Sequence, residues 1–206
     1  MKKFLLLFLF LVSGQMFVQA QGLEITPFAG YVFPARWHAA NGSFYFNGNA
    51  QYGGIISLGI SRVMDFNFTY NRIDTKATPE VVGSVYAFDE VALSQNYYMV
   101  GLTKNFRVNQ TVSPFASFSL GGVYFAPKSS GYYSYWFFAM GIDAGAKIYF
   151  NKFIGLRLQA QLMMPVQGGG FTLYYGGGSG SSVYLTGTLL DFGFTGGLIF
   201  RIGKTY

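Results

Sequence analysis

Beyond the first twenty residues the chain falls into eight runs of alternating apolar and polar side chains, separated by connections that are by turns long and short. In MDFNFTYNR, Met64, Phe66, Phe68 and Tyr70 share one parity and Asp65, Asn67, Thr69 and Asn71 the other. Strand side chains point alternately to opposite faces, so such a run has one face suited to lipid and one to water. IGLRLQAQLM repeats the pattern, with Ile154, Leu156, Leu158, Ala160 and Leu162 against Gly155, Arg157, Gln159 and Gln161. The last run sets Leu190, Phe192, Phe194, Leu198, Phe200 and Ile202 against Asp191, Thr195 and Arg201, and its apolar parity continues to Tyr206. A helix would scatter these residues around its circumference. The pattern predicts an all-β fold, an eight-stranded antiparallel up-and-down transmembrane β-barrel.

The alternation places strands at 22–33, 50–62, 64–73, 94–107, 112–124, 135–150, 153–164 and 189–203. Connections near 62–65, 107–112 and 151–152 are short. Those at 34–42, 74–93, 126–134 and 165–188 are longer, and Phe44 and Phe46 are expected to carry the second strand above the membrane. Membrane barrels have short periplasmic turns and long outer loops, so the first strand should run outward. The fourth loop contains YYGGGSGSS, whose glycines and serines favour a flexible connection.

The N-terminus adds a destination. Lys2 and Lys3 precede an apolar stretch from Phe4 to Val12, and Val18 and Ala20 supply short residues before Gln21. This is the build of a secretory signal peptide at 1–20, leaving a barrel at 21–206. The apolar stretch is too short to span a bilayer as a helix. With no Cys in the chain, neither a disulfide framework nor lipidation at a processed cysteine is available. The formal charge of +6 is scattered and falls when the leader leaves, which does not favour nucleic acid as a partner. One fifth of the residues are aromatic, more than a soluble sandwich needs on its outward face.

Charges on the polar parity are the sharpest local signal. Glu24, Asp65, Asp143, Lys147, Arg157, Asp191 and Arg201 should all point into the lumen, which in an eight-stranded barrel is just wide enough to be filled by side chains. Unpaired buried charge is costly, so opposite charges there should pair. Strand direction places Glu24, Asp65, Lys147, Arg157 and Arg201 in the periplasmic half, and removing Arg157 should strand a carboxylate. A salt-bridged plug is the first reading; an ion-selective, porin-like pore lined by the same groups is the alternative.

Catalytic chemistry has little to build on. His38 is the only histidine, in the first outer loop beside Arg36 and Trp37, and a His–Ser pair would suit acyl transfer on lipid A. Ser43, Ser57 and Ser61 are near in sequence, but no spacing selects one and no orienting third group is visible. No catalytic, cofactor-binding or metal-binding residue is assigned, and no cofactor is expected. At the rims, Lys104 lies on the lipid parity near the periplasmic end, where it can snorkel. Arg72 lies on the same parity near the outer end, as a candidate contact for a lipid headgroup such as a lipopolysaccharide phosphate.

The segments LEITPFAGYVF, QYGGIISLGIS, MDFNFTYNR, SPFASFSLGGVYF and FFAMGIDAGAKIYFNKFIGLRLQAQ resemble the small OmpA/OmpX-type barrels, in particular the outer membrane β-barrel family abundant in Bacteroidota. The resemblance spans the chain after the leader and implies an eight-stranded barrel in the outer membrane of a Gram-negative cell. Tyr206 is similar to the terminal aromatic that the barrel assembly machinery recognises. The periplasmic peptidoglycan-binding domain of full OmpA-like proteins is not expected in this chain. These motifs specify strands and turns, not a reaction. The expected role is therefore non-enzymatic, structural or surface-binding and adhesive through four outer loops, with outer-membrane lipid and lipopolysaccharide as partners. A place as accessory subunit beside an envelope or surface protein is a further alternative.

Overall fold

The computed structural model describes residues 22–39, 42–81, 90–106, 111–128, 133–166, 171–175, 181–185 and 189–203, with backbone alone at 37–39, 42–44, 79–81, 171–175 and 181–185. The expected signal peptide at 1–20, its junction at Gln21, and Tyr206 lie outside these residues.

Among the described residues twelve strands form, in chain order β1 (Leu23–Val32), β2 (Ala35–Ala39), β3 (Gly42–Phe46), β4 (Asn49–Ser61), β5 (Met64–Val81), β6 (Val91–Asn105), β7 (Val112–Pro127), β8 (Tyr135–Tyr149), β9 (Ile154–Val166), β10 (Phe171–Tyr175), β11 (Ser181–Leu185) and β12 (Asp191–Ile202). Eight of them close into an antiparallel transmembrane barrel, because β1 pairs with β4 on one side and with β12 on the other. Closure leaves the barrel wall without an unpaired edge. Along β12 burial alternates strictly from Asp191 to Phe200, with the apolar parity outward and the polar parity inward.

The short connections are made by local chemistry. Asn151 Oδ1 accepts from the backbone N–H groups of Phe153 and Ile154, both at 2.8 Å, and so turns β8 into β9. At the β4–β5 turn the register shifts between Gly59 and Ser61, a bulge that tightens the bend. Lumen-facing glycines let the wall coil closely: a Cβ at Gly53 or Gly121 would lie 2.0 Å from the neighbouring strand's carbonyl oxygen.

The other end differs from the alternation's expectation. β5 continues to Val81 and β6 begins at Val91, so much of the connection expected at 74–93 is strand, paired up to Ala77↔Val91. Residues 34–42 and 165–188 each contain strand as well, and the two hairpins β2–β3 and β10–β11 join edge to edge at Leu185↔Ala39. Phe44 and Phe46 do not extend β4. They belong to β3, which pairs with the upper part of β5 through Phe46↔Ala77 and Phe44↔Pro79. The reason is pairing: once β5 rises above its neighbours, its free N–H and C=O groups recruit the nearest chain. The result is a sheet, β10-β11-β2-β3-β5, that continues the barrel wall past its loop end.

Candidate functional site

The lumen is filled in two layers of opposite character. At the end with the short turns, Lys147 Nζ lies 2.8 Å from Glu24 Oε2 and 2.7 Å from Asp65 Oδ2, and Arg201 Nη2 lies 2.7 Å from Glu24 Oε1. Tyr149 donates to Glu24 at 2.9 Å, Asn105 donates to Asp65 at 2.8 Å, and the Arg201 guanidinium stacks 3.9 Å over the Tyr149 ring. Each carboxylate thus meets a cation and at least one neutral donor, the condition under which buried charge is tolerated. β1, β5, β8 and β12 each supply one charge, so the network ties opposite walls of the barrel together.

Arg157 is one level in, and it does not join that ion network. Its Nε donates to Gln159 at 2.6 Å, its guanidinium stacks 4.1 Å over the Phe115 ring, and its buried Nη1 has no hydrogen-bond partner. Asp143 also lies outside the network: it has no ion-pair or hydrogen-bond contact among the described residues, and Arg157 is the cation that acts on it electrostatically. From Arg157 an amide ladder climbs β9 and crosses the lumen: Gln159 donates to Gln161, Gln161 and Asn71 both donate to Gln51 Oε1. Beside it, Asn67 donates to Thr103, whose hydroxyl lies 2.6 Å from that of Ser117.

Toward the loop end the inward parity turns apolar. Val32, Phe46, Ile73, Ala77, Leu93, Met99, Val123, Phe125, Ala139, Met163 and Leu189 form one buried cluster with Tyr97, and Ala35, Tyr135 and Phe137 pack against it. The seventh lumen charge sits here. Asp191, 2% exposed, accepts a 2.5 Å hydrogen bond from Tyr97 and has no cation beside it among the described residues. The alternation did not single out this cluster, although its residues occupy the same parity as the polar ones below; the signal was the arrival of Ile73 and Ala77 on β5 above Asn71, with only Thr75 between them, and of Met163 on β9 above Gln161.

Of the other candidates, His38 and Ser43 are register partners in the β2–β3 hairpin, and their side chains lie outside the described residues. Ser57 pairs with Glu24 at the far end of the barrel, buried in the lumen. Lys104 is exposed on the lipid face near the turn end, and Arg72 lies outward near the loop end, bound to Asp74. No group of three or more metal-ligating side chains occurs among the described residues.

This architecture has counterparts among solved structures. The outer membrane protein OprG from Pseudomonas aeruginosa superposes with a TM-score of 0.66 at 8% identity, over 89% of this chain and 97% of that one. Neisserial surface protein A gives 0.57 at 11% identity, over 87% and 97%. The outer membrane protein AlkL, solved in lipid bilayers, gives 0.57 at 14% identity, over 90% and 92%. The chain has the fold of the small eight-stranded outer-membrane β-barrels. No family model and no curated relative matches the sequence.

Proposed function

We propose that this is a non-enzymatic outer-membrane protein that passes no steady ion current and works as a rigid stalk, presenting its loop end for surface binding. The observation that carries the reading is the double filling of the lumen: a charge-paired polar layer at one end and an apolar layer at the other. An ion crossing the barrel would have to break the first and desolvate against the second, and each step is costly. The wall meanwhile rises beyond the membrane as β10-β11-β2-β3-β5, and rigid scaffolds place binding functions on such protruding segments. In this reading 1–20 is a cleaved leader, the chain belongs with the Bacteroidota barrels its segments resemble, and the loop end faces out of a Gram-negative cell.

Planar-bilayer recording of the purified barrel tests the closed lumen directly. Silence is expected, and steady ion-selective conductance from the unmutated protein overturns the reading in favour of the pore. Mass spectra of lipid A from expressing cells test the non-enzymatic part. They should not change on expression, whereas a change that reverts with His38→Ala would make the protein an acyl enzyme.

A further inference from the structure

We propose that the outward face of β5, β6 and β7 at the loop end is a binding site for the phosphate of a membrane lipid headgroup, held by Arg72, Lys76 and Lys128. The inference rests on the transmembrane fold, and not on the closed lumen.

Arg72, Asp74 and Lys76 continue the outward parity of Phe66, Phe68 and Tyr70 on β5, so they leave the wall on the lipid side. Across from Asp74 and Lys76 β6 offers only the small residues Ser94 and Ala92, with Asn96 across from Arg72, and Ala126 of β7 lies beyond Ser94. Over this low floor Lys128 reaches back from the end of β7 to Asp74, Nζ to Oδ1 2.9 Å. Arg72 approaches the same carboxylate from below, Nη2 to Oδ1 3.0 Å, and Tyr52 donates to it at 3.1 Å. One carboxylate therefore holds two cations from different strands at a fixed separation. Lys76 joins them, itself paired to Glu90 at 2.8 Å. Among the described side chains, three cations against two carboxylates leave a net positive patch, with side-chain exposures of 34% for Arg72, 50% for Lys128 and 58% for Lys76.

Directly below runs an aromatic belt, in which Tyr70 and Tyr98, Tyr98 and Trp136, and Tyr124 and Trp136 have ring centroids 5.0 to 5.6 Å apart. Aromatic girdles mark the bilayer interface, so the cations stand at headgroup height. Arg and Lys donors at this spacing are suited to phosphate oxygens, which accept several charge-assisted hydrogen bonds at once. Three other strands contrast with it. On β1, β9 and β12 the outward residues at the loop end are Tyr31, Phe33, Met164, Leu190, Phe192 and Phe194, without a charge. A lipid is favoured over free phosphate because the wall beneath the patch, with Phe68, Val100 and Leu102 exposed, is where the acyl chains of the same molecule would lie.

The test is native mass spectrometry of the barrel released from phosphatidylcholine nanodiscs doped with diphosphoryl lipid A or its dephosphorylated form. The wild type should retain the diphosphoryl form at least tenfold better. The triple variant Arg72→Gln, Lys76→Gln, Lys128→Gln should lose that preference while keeping its β circular dichroism, and Arg62→Gln at the opposite end should keep the preference. Equal retention of the two lipids by the wild type, or a triple variant that retains the preference, overturns the site. Competition by millimolar inorganic phosphate separates the two sources: no displacement supports a lipid site, and full displacement refutes it in favour of free phosphate.

Discussion

The two halves of the lumen solve one packing problem by different physics. The turn-end half joins Glu24, Asp65, Lys147 and Arg201 by directional, short-range contacts, whereas the loop-end half packs Ile73, Met99, Val123, Phe125 and Met163 by contact area alone. An ion network tolerates few changes, because removing one member leaves another buried without its counter-charge. An apolar layer loses stability in proportion to the volume removed. The contrast teaches that a barrel can be rigid at one end and adjustable at the other within a single eight-stranded wall.

The largest effect should come from breaking the ion network at its hub. Lys147→Met leaves Asp65 without a cation and Glu24 with Arg201 alone, and is expected to cost about 3–5 kcal/mol of unfolding free energy in bilayers. Adding Asp65→Asn to the same chain, which removes the carboxylate left without a cation while Glu24 keeps Arg201, should recover most of that loss; a cost that remains in full would mean that packing, and not charge, explains the first result.

Leu158→Arg tests the wall that separates both lumen layers from lipid. Leu158 is exposed on the outward face one residue from the buried Arg157, so the substitution places a second guanidinium on the wrong side of the sheet. A loss of about 2–4 kcal/mol is expected in urea titrations. An unchanged midpoint would invert the inside–outside assignment of β9.

A smaller loss should follow at the loop end. Ile73→Val trims one methyl group from the apolar layer and should cost about 0.5–1.5 kcal/mol, with no rise in bilayer conductance. A destabilisation as large as that of Lys147→Met would erase the difference between the halves.

The smallest effect belongs to the wet counterpart of the buried network, the rim carboxylate above the aromatic belt. The Arg72 hydrogen bond, with Lys128 and Tyr52, lowers the Asp74 pKa from 3.8 to about 2 against the opposing effect of partial burial. A lowered folded-state pKa stabilises the fold above 3.8, and that contribution disappears as pH falls through about 2. A carboxyl-carbon NMR titration should find the Asp74 midpoint near 2 in the wild type and nearer 3.8 in Arg72→Gln. A wild-type midpoint at 3.8 would mean the clip does not persist in solution.

Parity made much of this legible from residues alone. MDFNFTYNR and IGLRLQAQLM announce β5 and β9 with the correct faces, since one misplaced residue would send every side chain of the strand to the other side. All eight barrel strands follow from the same rule, and their turn ends lie close to the observed ones. The loop-end boundaries failed for a specific reason. Residues 74–81 alternate too weakly to read as strand, and they become strand only because β3 and β6 are there to pair with them.

The linear order of residues therefore determined the period, the inward and outward faces and the number of crossings, all of which depend on side-chain chemistry within one strand. It could not determine who meets whom across the lumen. Lys147 reaches Glu24 and Asp65, 123 and 82 residues away, while Arg157, the register partner of Lys147 on β9, stacks on Phe115 instead. Those choices follow from the tilt and stagger that closure imposes on eight strands. Only the closed barrel brings distant walls within hydrogen-bonding distance, so only the tertiary structure could divide seven inward charges into a four-member hub, Arg157 and Asp143 outside it, and a carboxyl bound to Tyr97.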